Sequence, residues 1–486
     1  MSPRNLLRSA FLIYLVFPFL FLLLQFNINA WPEGAELFWA FKNSFLQAFF
    51  SGLFSLFLGL WVALGLICFN GSSRRFYRPL LEILCLLPNF LPPLFILLSL
   101  LNLIDPYPMG VLGITIAHTV INFGLVAVML ANIMENKIGS LAELAYVEGT
   151  SRWAFLRGVF WPLLRQDLLL LFLFVFAVCF GGFAIPLIVG GGRGTTMEVL
   201  IYEKIRFSSN WSEAVILAVL QSAFIFVISF LARRGGARSA ERPANLKILW
   251  MFSGVGVLLL ISSLCLLGYA QGIVEGVHQL SAFYELQSPL IWNFFGSLLM
   301  GLLAGLLSYG SLLLIAYCWP RPWFEKFLAG YVAPSTALCC FAFLILGPNE
   351  SFWPFIKVPL AFNLLCISSL YRMGWDGLLR GLETQIKVAK TLGAEAPQIF
   401  KQVLLPQISS RAALLAGIAA VWACGDYAVS RVLAHRDITL AMMTETLMSS
   451  YRLGLATVLS LSLALCGGIC FFIMMGVGHV VGRKSF

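Results

Sequence analysis

The sequence predicts an all-α polytopic membrane protein with twelve transmembrane helices, arranged as two parallel six-helix repeats. Three observations support this fold class. The chain is 60% hydrophobic and only 11% charged, its apolar residues fall into twelve long segments, and a polar motif in the first half recurs in the second half.

The composition excludes a water-soluble fold, because soluble proteins carry about 25% charged residues. The net charge of +10 fits basic cytoplasmic loops of a membrane protein, so we expect a lipid bilayer around the chain and no nucleic-acid partner. The eleven cysteines lie mostly inside apolar segments, which indicates small buried side chains rather than disulfides or metal ligands.

A transmembrane helix needs about 20 predominantly apolar residues. The twelve segments that meet this need lie near residues 9–27, 44–68, 80–104, 110–133, 166–190, 213–232, 247–269, 290–318, 327–347, 355–376, 411–433 and 455–481. The first segment follows two arginines and resembles a signal peptide, but its length favours a retained helix.

The distribution of basic residues gives an orientation. If the N-terminus is cytoplasmic and the twelve helices alternate, 24 of the 32 Lys and Arg residues fall on the cytoplasmic side. Cytoplasmic loops of membrane proteins are enriched in Lys and Arg. The sequence therefore predicts a multi-pass membrane protein with both termini in the cytoplasm.

The predicted domains follow from a linker rich in Gly, Arg, Ser and Pro at the middle of the chain. We expect a first repeat at residues 1–232, a cytoplasmic linker at 233–246 and a second repeat at 247–486. Six helices in each half give both halves the same orientation, which is a parallel repeat.

The recurring motif lies on the predicted cytoplasmic side in both halves. Its first copy contains Glu143, Ala145, Gly149, Val159 and Pro162. Its second copy contains Ala389, Gly393, Val403, Leu405 and Pro406, each 244 positions after its counterpart, with Lys387 in the place of Glu143.

Within the first copy, Ser140 and Glu143 form a capping-box pattern, which predicts a short helix beginning there. Gly149 is expected to end that helix. Thr150 or Ser151 would cap a second short helix that ends near Pro162. Glu143 itself either caps its own helix or contacts a partner protein. A stiff element of this kind can transmit a rigid-body motion between two assemblies.

These loops resemble the EAA loops of permeases of ABC importers, in which Glu-Ala-Ala is followed by Gly and, further on, by Leu-Pro. The chain has Leu144 for the first Ala, Trp161 for the Leu of the first copy and Lys387 for the Glu of the second. The last departure suggests that the two loops are not equivalent. The resemblance covers essentially the whole chain, as a fused two-copy permease.

Within this class the chain resembles thiamine and ferric-iron uptake permeases, and the segments 190–202, 425–427 and 450–452 are most similar to the thiamine member. The resemblance implies two copies of a cytoplasmic ABC ATPase docked on residues 138–163 and 382–407. It also implies a place in the bacterial inner membrane and a periplasmic binding protein that delivers thiamine, with ferric iron as the alternative substrate. No phosphate-binding loop of the GxxxxGK[ST] type is present, so ATP hydrolysis is expected in a separate subunit, and no cofactor or metal is expected.

Asp426 is the one acidic residue expected well inside an apolar segment. An intramembrane acid usually faces a cavity or a partner group. Asp426 could therefore line the substrate path, together with the aromatic Tyr427, or it could pair with Arg431 or a backbone group. An ion-coupled secondary transporter and a membrane enzyme are the competing functions. Neither explains the paired loops, and both would need additional clustered acids.

Overall fold

The computed structural model describes residues 3–27, 30–69, 76–231, 249, 251–279, 287–318, 327–328, 335–350 and 352–483. Regular secondary structure in these residues is entirely helical, which confirms the all-α class. In chain order the α-helices are α1 (Pro3–Gln25), α2 (Gly34–Leu66), α3 (Tyr77–Phe90), α4 (Pro93–Leu103), α5 (Val111–Val147), α6 (Arg152–Phe155), α7 (Trp161–Phe180), α8 (Ala184–Val189), α9 (Met197–Arg206), α10 (Trp211–Leu231), α11 (Ser253–His278), α12 (Gln287–Tyr317), α13 (Thr336–Ala342), α14 (Pro354–Leu370), α15 (Asp376–Gly381), α16 (Glu383–Thr391), α17 (Ala396–Gln398), α18 (Leu405–Cys424), α19 (Ala428–Leu433), α20 (Leu440–Ser449) and α21 (Leu453–Arg483).

Nine helices within the described ranges are long and apolar enough to cross a membrane, or ten if α3 and α4 form one span bent by 94°. Two of the remaining predicted segments appear only as the shorter apolar helices Asn5–Phe21 and Thr336–Leu346. The polytopic class is therefore confirmed, whereas the count of twelve is not. The predicted linker at 233–246 lies outside the described residues, so the division into repeats remains a prediction.

Two of the predicted spans end earlier than expected. The segment 166–190 is interrupted after Phe180, and the segment 411–433 is interrupted after Cys424. Each interruption contains a glycine, Gly181 or Gly425, and is followed by a helix of 6 residues, α8 or α19. The two breaks are 244 positions apart, so the repeat found in the loops extends into the backbone.

The chain packs as two compact units, and each contains helices from both halves of the sequence. One unit, called the N-unit here, comprises Pro32–Leu200 and Ala223–Glu275. The other, called the C-unit, comprises Met1–Trp31, Ile201–Ser222 and Gly276–Phe486. The first helix of each half thus packs with the core of the other half.

In the N-unit, α2, α5 and α7 pack together, and α3 packs on α5. Gly124 permits the last contact, because a Cβ added there would lie 1.9 Å from the carbonyl oxygen of Cys85. The helix α11 joins this unit by close backbone contact. Ser99 Oγ donates to the carbonyl oxygen of Cys265 at 2.6 Å, and a Cβ on Gly268 would lie 2.1 Å from the carbonyl oxygen of Ser99.

In the C-unit, α12, α18 and α21 form the core. A Cβ added at Gly301 would lie 2.2 Å from Cys424 Sγ, so only glycine allows α12 to approach α18 this closely. The helix α1 is held in this unit by Asn363 on α14, whose amide nitrogen donates to Tyr14 Oη at 3.2 Å and to Ser311 Oγ at 3.0 Å. Tyr14 Oη in turn donates to the carbonyl oxygen of Leu360 at 2.6 Å.

All eleven cysteines lie within the described ranges and none forms a disulfide; nine are buried and two are half-buried. The prediction that they act as small buried side chains is confirmed.

Candidate functional site: two repeat-related loops and a polar break

The first loop turns at Gly149, which directly follows the last turn of α5. The N–H of Gly149 donates to the carbonyl oxygen of Tyr146 at 3.3 Å, and the N–H of Thr150 donates to that of Ala145 at 2.9 Å. This pair of bonds is the Schellman motif, which satisfies carbonyl groups at a helix end and needs a left-handed residue at the turn. Gly149 supplies it with a φ of +68°.

The second loop repeats this geometry 244 positions later. The N–H of Gly393 donates to the carbonyl oxygen of Lys390 at 3.0 Å, and that of Ala394 donates to Ala389 at 3.0 Å. Gly393 has a φ of +84°. A Cβ added at either glycine would meet no atom within 4 Å. The turns therefore require glycine for its backbone conformation and not for lack of space.

A second helical turn begins two residues after each glycine. Ser151 caps α6, because its Oγ accepts a hydrogen bond from the N–H of Ala154 at 3.2 Å. At the repeat-related position, Glu395 caps α17, and its own N–H donates to Gln398 Oε1 at 2.9 Å. The predicted cap at Thr150 or Ser151 is thus confirmed for Ser151.

Two details of the predicted loop are wrong. No helix begins at Ser140, because α5 runs without a break from Val111 to Val147; the capping pattern lies inside an already formed helix. The helix after Ser151 does not end near Pro162 either. It passes through a π-helical turn at Leu156–Phe160 and continues as α7 to Phe180.

The prolines follow these π-turns in both loops. One residue separates the π-turn Leu156–Phe160 from Pro162. One residue likewise separates the π-turn Ile399–Leu404 from Pro406. A proline has no N–H for the carbonyl four residues earlier and its ring crowds that carbonyl. A widened turn before each proline accommodates both effects and keeps the helix continuous.

Glu143 is exposed and lies on the last turns of α5, so it does not cap the start of a helix. Ala145 and Ala389 are half-buried at matching positions. Around them, large apolar side chains face outward although the segment is polar, including Leu144 and Tyr146 in the first loop. Val388, which matches Leu144, is likewise exposed. An apolar surface on a polar loop is typical of a protein contact.

The two loops are braced differently. Below the first loop, Lys137 Nζ on α5 contacts both carboxylate oxygens of the buried Asp167 on α7, at 2.8 and 2.7 Å. Below the second loop, Gln407 Nε2 on α18 donates to Gln385 Oε1 on α16 at 2.7 Å. Lys387 forms a local, exposed ion pair with Glu383, at 2.9 Å.

The helix leading to the second loop also contains a kink that has no counterpart in α5. In the π-turn Tyr371–Trp375, Gly374 has a φ of +102°. Tyr371 and Trp375 are fully buried on either side of it. The first loop is therefore continuous with its long helix, whereas the second is joined to its helix through a kinked segment.

Asp426 lies in the break between α18 and α19 rather than inside a helix. Its Oδ2 accepts a hydrogen bond from the N–H of Val429 at 2.8 Å. Arg431 contacts other carboxylates, those of Asp437, at 2.9 Å, and Glu445. Of the two structural alternatives considered from the sequence, the backbone contact is observed and the pairing with Arg431 is not. Tyr427, the next residue, is buried.

A buried polar network near the first break was not foreseen. On α2, Asn43, Gln47, Ser51 and Ser55 are all buried. Gln47 Nε2 donates to the carbonyl oxygen of Cys179 at 2.7 Å, and Gln47 Oε1 lies 3.0 Å from Nδ1 of the buried His118. The signal was available in the sequence, since these four polar residues recur every fourth position along one helix face.

Comparison with known proteins shows which permeases the chain resembles. Residues 55–238 match the family described as the binding-protein-dependent transport system inner membrane component. The chain is 26% identical to the thiamine transport system permease protein ThiP of Escherichia coli strain K12, over 94% of this chain and 91% of that protein. It is 24% identical to ThiP of Salmonella typhimurium, over 96% and 94%, and 29% identical to ThiP of Haemophilus influenzae, over 45% and 44%.

No solved structure matches the chain. The full-length similarities, the apolar helices and the duplicated loops agree with one another. Together they support an inner-membrane permease of a binding-protein-dependent ABC importer, with two permease copies fused in one polypeptide.

Proposed function

We propose that the chain is the permease of a thiamine importer, which receives thiamine from a periplasmic binding protein and passes it into the cytoplasm. The observation that carries this proposal is similarity to permeases named for thiamine transport over nearly the full length of both chains. Ferric iron, the alternative considered from the sequence, has no comparable support among these relatives. An ion-coupled carrier would not explain two copies of the same surface turn.

The two loops are proposed to be the contacts for two copies of the ATPase, one on each loop. The exposed apolar side chains around Ala145 and Ala389 would supply the contact, and the turns at Gly149 and Gly393 would set its geometry. Both termini would lie in the cytoplasm, as the excess of Lys and Arg on that side predicts. ATP hydrolysis would occur in those partner subunits and not in this chain.

The mechanical part of the proposal follows from the length of α5. Its 37 residues span about 55 Å, at about 1.5 Å per residue, which exceeds the thickness of the hydrocarbon core of a membrane. A displacement of the first loop is thus carried along one uninterrupted helix. The ion pair between Lys137 and Asp167 ties the same movement to α7, which leads to the break at Gly181.

For the substrate path we propose Asp426 and Tyr427. Asp426 uses one carboxylate oxygen to accept the N–H of Val429, and within the described ranges it forms no ion pair with a basic side chain. Thiamine carries a positively charged ring, and a carboxylate at the break attracts a cation. The adjacent aromatic ring of Tyr427 is of the kind that binds organic cations.

The proposal is tested by uptake. Cells that lack their own thiamine permease would receive this chain together with its ATPase and binding protein, and uptake of radiolabelled thiamine would be measured with and without depletion of ATP. We expect ATP-dependent accumulation that unlabelled thiamine competes away. Accumulation of iron instead, or thiamine uptake that ignores ATP depletion, would contradict the proposal.

A further inference from the structure

Two turns in the C-unit carry strongly exposed aromatic rings at positions related by the repeat. Phe207 follows α9 and is 76% exposed, and Tyr451 follows α20 and is 88% exposed. The two residues are 244 positions apart, the same spacing as between Gly149 and Gly393. Each turn leads directly into a long helix, α10 or α21.

The backbone at Tyr451 is strained. The N–H of Tyr451 donates to the carbonyl oxygen of Met448 at 3.0 Å, and that of Arg452 donates to Leu447 at 2.9 Å. This is the same motif that glycine makes in the two loops, but here a tyrosine holds the left-handed position with a φ of +59°. This conformation is unfavourable for a residue with a side chain, because its Cβ approaches the following carbonyl oxygen. Strain of this kind is concentrated at functional positions.

The turn that contains Phe207 has a similar feature, since Ser209 has a φ of +53°. Ser209 and Tyr451 are the two non-glycine residues with positive φ in the part of the chain that the structure describes. Both strained positions therefore lie in the turns that present the exposed rings.

A network of ion pairs holds the Tyr451 turn in place. Arg431 contacts Asp437 at 2.9 Å, the carboxylate of Glu445, and Thr446 Oγ1 at 2.9 Å. Glu445 also accepts a hydrogen bond from Ser449 Oγ at 2.9 Å, close to the end of α20. The ring of Tyr451 is thus presented from a rigid helix end, which lowers the entropic cost of binding a partner.

The surface around the Tyr451 turn keeps a net positive charge. Three arginines, Arg431, Arg436 and Arg452, stand there against the two acids Asp437 and Glu445, both of which contact Arg431. Arg436 and Arg452 are exposed and pair with no acid among the described residues. The Phe207 turn adjoins this surface, since Arg206 Nη2 lies 3.1 Å from His435 Nδ1.

The direction of the chain places Tyr451 far from the second loop. From that loop α18 runs 20 residues to Cys424, and α21 returns through 31 residues after Tyr451. Tyr451 therefore lies at the end of the C-unit opposite to the loop proposed for the ATPase. With the orientation given under the proposed function, this end faces the periplasm.

We propose that Phe207 and Tyr451, with Arg436 and Arg452 beside them, form a docking surface for the periplasmic binding protein. The rings would insert into apolar pockets on a face of that protein that is rimmed by acidic residues. This inference rests on the proposed function. Buried aromatic anchors surrounded by polar contacts are typical of protein interfaces. The other possible occupant is the lipid headgroup layer, where exposed Tyr residues are also enriched.

The test uses the reconstituted complex of this chain with its ATPase, in nanodiscs. The measured quantity is the concentration of thiamine-loaded binding protein that gives half-maximal stimulation of ATP hydrolysis. For Tyr451→Gly we expect that concentration to rise about 10-fold or more, while the thermal midpoint of the chain stays equal or rises because the strain is relieved. Phe207→Ala should have a similar effect, and Tyr451→Phe should retain most of the affinity.

The control is Phe472→Ala, which removes a ring that is 74% exposed on α21 but lies in the apolar span. For this variant we expect no change in the concentration of binding protein that gives half-maximal stimulation. A photo-crosslinking amino acid at position 451 should attach to the binding protein. If the wild type responds to the binding protein but Tyr451→Gly and Phe207→Ala respond equally well, or if the crosslinker attaches only to lipid, the docking surface is refuted. If the wild type itself does not respond, the proposed function fails instead.

Discussion

The turn at Gly149 gives the sharpest test of how the loops work. Its φ of +68° lies in the left-handed region and there is open space around it, so a substitution meets no steric obstacle and affects only the backbone. Most residues with a Cβ lose about 1–2 kcal/mol in this conformation, a β-branched residue loses more, and Asn loses less. One to two kcal/mol corresponds to a shift of about 5- to 30-fold in the equilibrium between the native turn and a frayed one.

We therefore expect Gly149→Val to fold normally but to transport several-fold less thiamine per ATP hydrolysed, and the double variant with Gly393→Val to lose coupling almost completely. The assay is thiamine uptake and phosphate release in the same proteoliposomes. Asn tolerates the left-handed conformation, so Gly149→Asn should stay close to the wild type. Gly158→Ala is the matched control, because Gly158 lies in the helical turn of the same loop with nothing within 4 Å of an added Cβ.

Two results would refute this reasoning about the turn. One is a normal ratio of transport to hydrolysis in both valine variants. The other is an equal loss of coupling in Gly149→Asn and Gly149→Val, since the backbone argument requires them to differ.

Three further predictions concern single contacts. Asp167→Asn removes the ion pair with Lys137 and should lower the free energy of unfolding by about 1–3 kcal/mol, measured through the thermal midpoint in detergent. The exchange Lys137→Asp with Asp167→Lys should restore part of that stability. An unchanged midpoint in Asp167→Asn would contradict a stabilising role for this ion pair. Asn363→Ala should loosen α1 and make it more accessible to protease, with a milder effect for Tyr14→Phe. If both variants resist the protease as well as the wild type does, this attachment of α1 is ruled out. Asp426→Asn keeps an acceptor for the N–H of Val429 but removes the negative charge. It should therefore raise the KM of thiamine uptake without changing the thermal midpoint. An unchanged KM would exclude Asp426 from the proposed substrate path.

Much of the candidate site could be predicted from the sequence because the repeat is local and regular. The matching positions of Gly149 and Gly393 followed from spacing alone, and their shared backbone geometry agrees with it. Glycine after a helix is a strong signal, since few other residues adopt the left-handed conformation.

What could not be predicted depends on the continuation of helices and on contacts between distant segments. The pattern at Ser140 and Glu143 is a start signal only if no helix precedes it, and α5 had already begun 29 residues earlier at Val111. The attachment of α1 through Asn363 joins residues about 350 positions apart, and no local pattern encodes such a pairing. The kink at Gly374 looks in the sequence like any other glycine in an apolar segment.

The central claim is that both loops face the cytoplasm and contact the ATPase. Leu144 and Val388 test it most directly, because they are repeat-related and 55% and 53% exposed. Leu144→Cys and Val388→Cys would each be treated with a membrane-impermeant thiol crosslinker in inside-out vesicles that contain the ATPase. The account predicts a crosslinked product of this chain with the ATPase from both variants, and none from the unmodified chain, whose cysteines are buried or half-buried. Reaction only from the periplasmic side, or crosslinking from neither position, would contradict it.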